Sequence, residues 1–371
     1  MNNNPIIYIM SNSKINDNSE INDIRTSFKG ITFSNFKKIE AKAQFVESMK
    51  KGKVEPACYW AAELVCAGHY MDLWEIILHY MSKYIHLGNP KIVVYLEKRY
   101  LVFKNIMSQG HFLSEIQLRN NNNIRKLFAE VISILTISNK KHSFELIKIN
   151  RVEEFDITQM TERLKAPSLY IESIFKPKDP KEIFIALNEL AYHLSNDHLS
   201  MINACYWIEW IMEFDNICKK RKKQSKCERR SQYEVELKLQ CDIIWMIWDV
   251  LLYYCELQTN PFTLSIMKSL VNLFCIKYTN ASAKKRRYIF YFAVTLITEP
   301  VPTHIELISD KLIVQNVVDQ INNIYKQIKM NEISPGTDYL FNGLESQNTF
   351  DKSIQKLDIM NKIDFIDDDI P

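Results

Sequence analysis

Eight positive side chains fall within twelve residues between Lys219 and Arg230: Lys219, Lys220, Arg221, Lys222, Lys223, Lys226, Arg229 and Arg230, with Glu228 as the one acid among them. Cations at this density can engage nucleic-acid phosphates by releasing condensed counterions, and can also serve as a nuclear-import signal. A solvated loop with no ligand is the competing reading. Lys284, Lys285, Arg286 and Arg287 open an apolar stretch further on, and extend the same patch if the fold brings the two together. At the far end, Asp364-Phe365-Ile366-Asp367-Asp368-Asp369 sets four aspartates around two apolar residues. Phe365, Ile366, Asp367, Asp368 and Asp369 are the candidate contacts of a short partner-binding element on a mobile tail. Tethering and charge would also let that tail occupy the basic run and compete with nucleic acid.

Catalytic chemistry has little to stand on. The chain has no GxxxxGK[ST] phosphate loop, no GxGxxG after a strand, no HExxH and no GxSxG. Glu209 and Glu213 lie one helical turn apart and Asp242 and Asp249 two turns apart, so a carboxylate cluster between helices is conceivable. A di-metal bundle also needs Glu-x-x-His pairs, which are missing, and charges of a solvated helix face are the simpler reading. Cys58, Cys66 and His69, and likewise Cys218 and Cys227, lack the ligand spacing of structural zinc; buried thiols and a satisfied histidine are expected. The Trp207/Trp210 and Trp245/Trp248 pairs could stack bases, but on apolar helices they suit a core or an interface. No catalytic residue, metal site or cofactor is identified.

The elements that must position these groups are helices. The stretch 56–90 reads as two capped helices and a turn, with Pro56 at a first helical position, Gly68 ending the helix that carries Trp60, Leu64 and Ala67, and Asn89-Pro90 closing the unit. Asp72 and Glu75 fit a capping box, followed by the apolar stripe Leu73, Ile76, Ile77, Tyr80, Met81 and Tyr84. Part of this returns later: Ala204-Cys205-Tyr206-Trp207 repeats Ala57-Cys58-Tyr59-Trp60, Asn260-Pro261 repeats Asn89-Pro90, and Arg286-Arg287 stands for Arg125-Lys126. After the last landmark Leu127, Phe128, Val131, Ile132 and Leu135 share their offsets with Tyr288, Ile289, Phe292, Ala293 and Leu296, which together read as an internal duplication. Trp60 and Trp207 are expected to be largely buried.

Only 7 glycines in 371 residues argue against folds that spend glycine on turns and phosphate loops, so the chain reads as mostly α. The expected order is a loose arm (1–32), a first helical domain (33–138), a connector (139–180), a second helical domain (181–330) with the basic insertion 219–230, and a flexible acidic tail (331–371). In the connector, residues 144–149 alternate like a short strand and Asp156 can cap a short helix. The formal charge of +3 hides an asymmetry, since the tail holds nine acidic residues against three lysines, net −6, leaving +9 on residues 1–330. Eight cysteines without a CxxC pair, no visible secretory signal and apolar runs too short to span a bilayer suggest a soluble, intracellular protein away from membranes.

Three resemblances add to this. At Ala57, Tyr59-Trp60, Ala62, Leu64, Gly68, Ile85 and Pro90 the first unit resembles the helical collar of clamp-loader-related ATPases that act at stalled replication forks, over about 35 residues. The ATPase module itself has no counterpart, so the resemblance implies a helical assembly fold and nothing about hydrolysis. The last residues look like the acidic tip of bacterial single-stranded-DNA-binding proteins, with Ile366 inserted and the terminal Phe absent. Most of residues 35–300, including YWAAELVCAGHYMDLW, IHLGNP, ACYWIEW and DIIWMIWD, resembles an uncharacterised protein of nucleocytoplasmic large DNA viruses. That implies an intracellular viral setting, in a cytoplasmic virus factory or the nucleus. The resulting expectation is a non-enzymatic interaction factor of viral DNA replication or transcription, with viral replication or transcription proteins and DNA or RNA as partners. The alternative is a minor structural or assembly protein of the virion.

Overall fold

Helix α2 (Val54–Cys66) starts two residues before Pro56, which therefore stands within its first turn rather than at its first position, where its missing N–H still costs no helical bond, and Gly68 closes the helix. Gly68 adopts φ +73°, His69 N–H donates to the Leu64 carbonyl and Gly68 N–H to that of Val65, a paired closure that needs a residue free to take a left-handed conformation. The turn feeds straight into α3 (Tyr70–Tyr80), which begins two residues before Asp72. The expected Asp72/Glu75 capping box therefore does not form. Asp72 instead binds Lys38 and Lys42 of α1 (Lys38–Lys50), and Glu75 receives Arg286. A capping box does stand at Ser114–Gln117, before α5 (Glu115–Arg119).

The computed structural model describes residues 19–23, 25, 27–109, 114–151, 153–155, 161–223 and 225–333. These are mostly helical, with only isolated bridges and no strand among the described residues. The first half is completed by α4 (Lys91–Gln109) and α6 (Asn122–Ile137). The second contains α7 (Phe184–Leu194), α8 (Met201–Lys220), α9 (Ile244–Leu257), α10 (Pro261–Cys275), α11 (Ser282–Lys285) and α12 (Arg287–Thr298), and α13 (Lys311–Lys329) follows. No helix among the described residues is long and apolar enough to cross a membrane.

The two halves share some helix pairs and differ in others. In the first, α1 packs on α2, α3 and α6, α2 on α3 and α6, and α4 on α6. In the second, α7 packs on α8, α9 and α12, α8 on α9 and α12, and α10 on α12, but α9 also packs on α10 and α12, contacts that α3 does not make to a like extent with α4 or α6. Ala57, Cys58, Ala204 and Cys205 are buried at matching places on α2 and α8, and so are the five apolar residues that follow each basic landmark on α6 and α12. The two tryptophans differ. Trp207 is 1 % exposed, whereas Trp60 is only half-buried beneath Phe36, so full burial holds for one of the pair. The fully buried tryptophan of the first half is Trp74 on α3, packed among Tyr100, Phe103 and Phe128.

One apolar core runs through both halves, joined where α4 meets α10 and α3 meets α12. The expected domain limits shift accordingly. Within the arm, Ile21 and Phe28 are buried, and Ile21 exchanges two hydrogen bonds with the Asn120 side chain, so the described part is packed rather than loose. Helix α13 returns to cover α2 and α6 of the first half, with Tyr325 buried under the Arg125 guanidinium at 4.1 Å. Residues 144–149 run as an extended strap without a strand partner among the described residues, and Asp156 lies outside the described residues.

Candidate nucleic-acid interface

Helix α8 presents the basic run from its last turn. Residues 204–212 are buried along it, Lys219 and Lys220 complement the negative end of the helix dipole, and Lys222 turns the chain out at φ +56°. From here the run divides into a root and a tip.

The root is held by Arg230, which is 0 % exposed. Its two Nη atoms donate to Asp179 Oδ1 and Oδ2 at 2.7 and 2.6 Å, and its Nε to Asp249 Oδ2 at 2.7 Å. Burial opposes the guanidinium charge, but the bonds from Asp179 and Asp249 outweigh it and raise its pKa. Tyr233 donates to Asp249 Oδ1 at 2.7 Å and stacks on Trp245 at 4.6 Å, while Cys227 N–H and Arg230 N–H donate to the Cys241 and Gln240 carbonyls. Arg230 is thus a buried anchor and cannot reach a phosphate, which corrects the sequence reading. Lys219 is also engaged, by Asp215 and by Asp242 at 3.7 Å. Arg229 is exposed but gives its Nε to Gln240 Oε1 at 2.6 Å.

The tip is different. Lys220, Arg221, Lys222, Lys223 and Lys226 are exposed, and none has an acidic partner among the described residues. Lys226 is fixed through its backbone, which bridges Asp242.

The second basic cluster does reach α8, but along its flank and already paired. Lys284 donates to Glu213 at 3.0 Å, where Arg151 also binds, and Arg287 lies 3.3 Å from Glu209. Arg286 is 3 % exposed between Glu75 and the Phe274 carbonyl; like Arg230 it is a buried structural cation, and it is removed from the phosphate-binding candidates. Lys285 remains exposed beside Lys42 and His79. The candidate contacts Phe365, Ile366, Asp367, Asp368 and Asp369 lie outside the described residues.

No protein-family model, curated protein or solved structure matches the chain.

The carboxylates read as solvated helix charges are in part buried. Glu209 accepts from Tyr291 at 3.0 Å, and its burial, opposed by Arg287, raises its pKa; for Glu213, Lys284 and Arg151 outweigh burial and lower it. Asp242 accepts from Tyr278 at 2.9 Å. Each acid faces its own cation or phenol, and no group of three or more His, Cys, Asp or Glu residues is placed to hold a metal among the described residues. His69 bonds the Ile31 carbonyl at 2.8 Å, Cys58, Cys66 and Cys227 are buried, and burial pushes the Cys58 and Cys227 thiols up to about 12. Trp207, Trp210, Trp245 and Trp248 are all buried and offer no face to a base. Sequence reasoning missed Asp179 as a partner of the run; its position between Pro177 and Pro180, and Asp249 interrupting an apolar helix, were the available signals.

Proposed function

We propose that the protein is a non-enzymatic helical interaction factor that contacts nucleic acid, without sequence preference, through the tip formed by Lys220, Arg221, Lys222, Lys223 and Lys226. The observation behind this reading is the contrast within one loop: the root cations are consumed by buried carboxylates, whereas five tip cations face solvent unpaired among the described residues. A rooted loop presents its charges with little ordering cost on binding, which favours phosphate contact over a freely moving chain. The duplicated unit inferred from the shared landmarks and helix pairs supplies a rigid frame for that loop. We place this activity in viral DNA replication or transcription on the strength of the sequence resemblance alone. Fluorescence anisotropy of labelled duplex and single strands tests it, and binding that weakens as salt rises is expected. No binding at low salt, together with a stoichiometric amount of the protein in purified particles, would instead mark a structural or assembly component of the virion.

A further inference from the structure

After α3 the chain widens into a π turn (Met81–Ile85) and then tightens over His86–Gly88, an irregularity that is frequent at functional sites. His86 sits at φ +48° and ψ −133°, a conformation that residues with a Cβ rarely adopt and that persists only where the surroundings impose it. The strap from α6 to the second half holds it there, with Lys141 N–H on the Ile85 carbonyl at 3.2 Å and Ser143 N–H on the Lys83 carbonyl at 2.8 Å. Gly88 allows this approach, because a Cβ at that position would stand 2.6 Å from the Asn139 carbonyl oxygen.

This arrangement buries the His86 ring, 2 % exposed, flat against Phe292 at 4.5 Å. Neither ring nitrogen has a hydrogen-bond partner, and the Tyr291 carbonyl comes near without bonding geometry. Burial, aided by Lys141, pushes the imidazole down to about 3, so the ring is neutral near pH 7 and offers one donor and one acceptor. The Ser143 hydroxyl is likewise buried without a partner. Both residues line one cleft of about 330 Å³, together with Phe144, Met201, Lys141 and Glu299. Lys141 is paired with Glu299 at 2.7 Å, so its charge is already compensated.

We propose that this cleft binds an uncharged planar heterocycle carrying a donor and an acceptor on one edge, the chemistry of a nucleobase. Two orphan polar groups, each costly to leave without a hydrogen bond, would be satisfied by such an edge. Phe144 and Met201 suit the flat apolar face, and an anion is disfavoured because Lys141 is already paired with Glu299 while Glu145, which lines the cleft with His142, adds a further carboxylate. The volume lies at the small end of ligand sites, which fits a single base. The cleft is independent of the basic tip: Met201 opens α8 and Lys220 closes it, so the two lie about 28 Å apart along the helix.

The test uses the full chain with ¹⁵N-labelled histidine, titrated with adenosine, cytidine and inorganic phosphate. The His86 ring resonances are expected to move with a nucleoside and stay still with phosphate. Ser143→Ala and His86→Phe, which keeps the stack on Phe292, should each weaken nucleoside binding by tenfold or more; should His86→Phe fail to fold, Ser143→Ala carries the comparison. A homopolymeric oligonucleotide and an abasic one of equal length separate the sources. A shift with the first and not the second assigns a base within a strand, and a shift with nucleosides alone assigns a free ligand. Failure of every nucleoside and oligonucleotide to move His86 at millimolar concentration overturns the proposal, as does an equal response to phosphate or an unchanged affinity in the variants.

Discussion

Lys222 and Arg230 stand eight residues apart in one basic run and do opposite things. Lys222 is exposed at the turn out of α8; Arg230 is sealed between Asp179, 51 residues upstream, and Asp249, 19 residues downstream. The same contrast recurs at Lys285 and Arg286, adjacent in sequence, one exposed and the other buried against Glu75. A cation's role follows from what the fold sets against it. Charge counted along a chain therefore overstates the charge available at a surface.

Breaking the root should have the largest effect. Arg230→Met leaves Asp179, itself 4 % exposed, as an uncompensated buried carboxylate and should cost about 3–5 kcal/mol in denaturant unfolding. A loss below about 1 kcal/mol would mean that the root is not an anchor. Replacing Asp179 and Asp249 by apolar residues in the same variant should recover much of the loss, because the penalty comes from the stranded charge and not from the missing pair.

Helix α8, which carries the tip, offers a second comparison. Trp207→Ala should cost about 3–5 kcal/mol, as large-to-small core changes do, and Trp60→Ala clearly less, because Trp60 is only half-buried. Equal losses would contradict the difference in burial between the two landmarks.

Histidines sharpen the contrast between partnered and unpartnered groups. His86 has its pKa depressed from 6.5 to about 3 by burial, and His193 to about 4 by burial and His198. Below the unfolded value the unfolded chain binds protons that the folded one refuses, so stability is intact above about pH 6.5 and falls as the pH drops toward 3. Each group contributes a slope of at most about 1.4 kcal/mol per pH unit. His86→Phe should flatten the fall between pH 6.5 and 4, read from denaturant midpoints at each pH. An unaltered profile would show that His86 titrates normally.

Least affected should be stability in a variant with Lys220, Arg221, Lys222, Lys223 and Lys226 changed to Gln. Exposed residues without partners contribute within about ±0.5 kcal/mol, so its unfolding midpoint should match that of the parent chain. A marked destabilisation would mean that the tip, too, is structural.

The helices were legible because their signals are local. Gly68 after an apolar stripe and Asn-Pro before α10 act within a few residues, and apolar periodicity marked the faces of α6 and α12 that are buried. What escaped was set by distant partners. Nothing near Asp72 shows that Lys38 and Lys42 will claim it, and nothing within 219–230 shows that Asp179 waits for Arg230. The return of α13 to the first half and the packing of Ile21 also depend on surfaces formed only after folding. Of the candidate interface, the tip was readable as charge; its division from the root was not. The His86 cleft had no sequence signal, since a π turn and an orphan imidazole arise from the strap packed across them.

The central claim is that phosphate binding belongs to the tip and not to the net charge of the body. The most direct measurement compares salt titrations of duplex binding for the five-Gln tip variant, the parent chain, and a control in which five exposed lysines elsewhere, Lys53, Lys98, Lys104, Lys148 and Lys178, become Gln. In the tip variant the slope of log affinity against log salt should flatten by about 0.9 for each phosphate that is no longer neutralised, and by about 0.7 on single strands, with the control close to the parent. Equal flattening in both variants, or in neither, would contradict it.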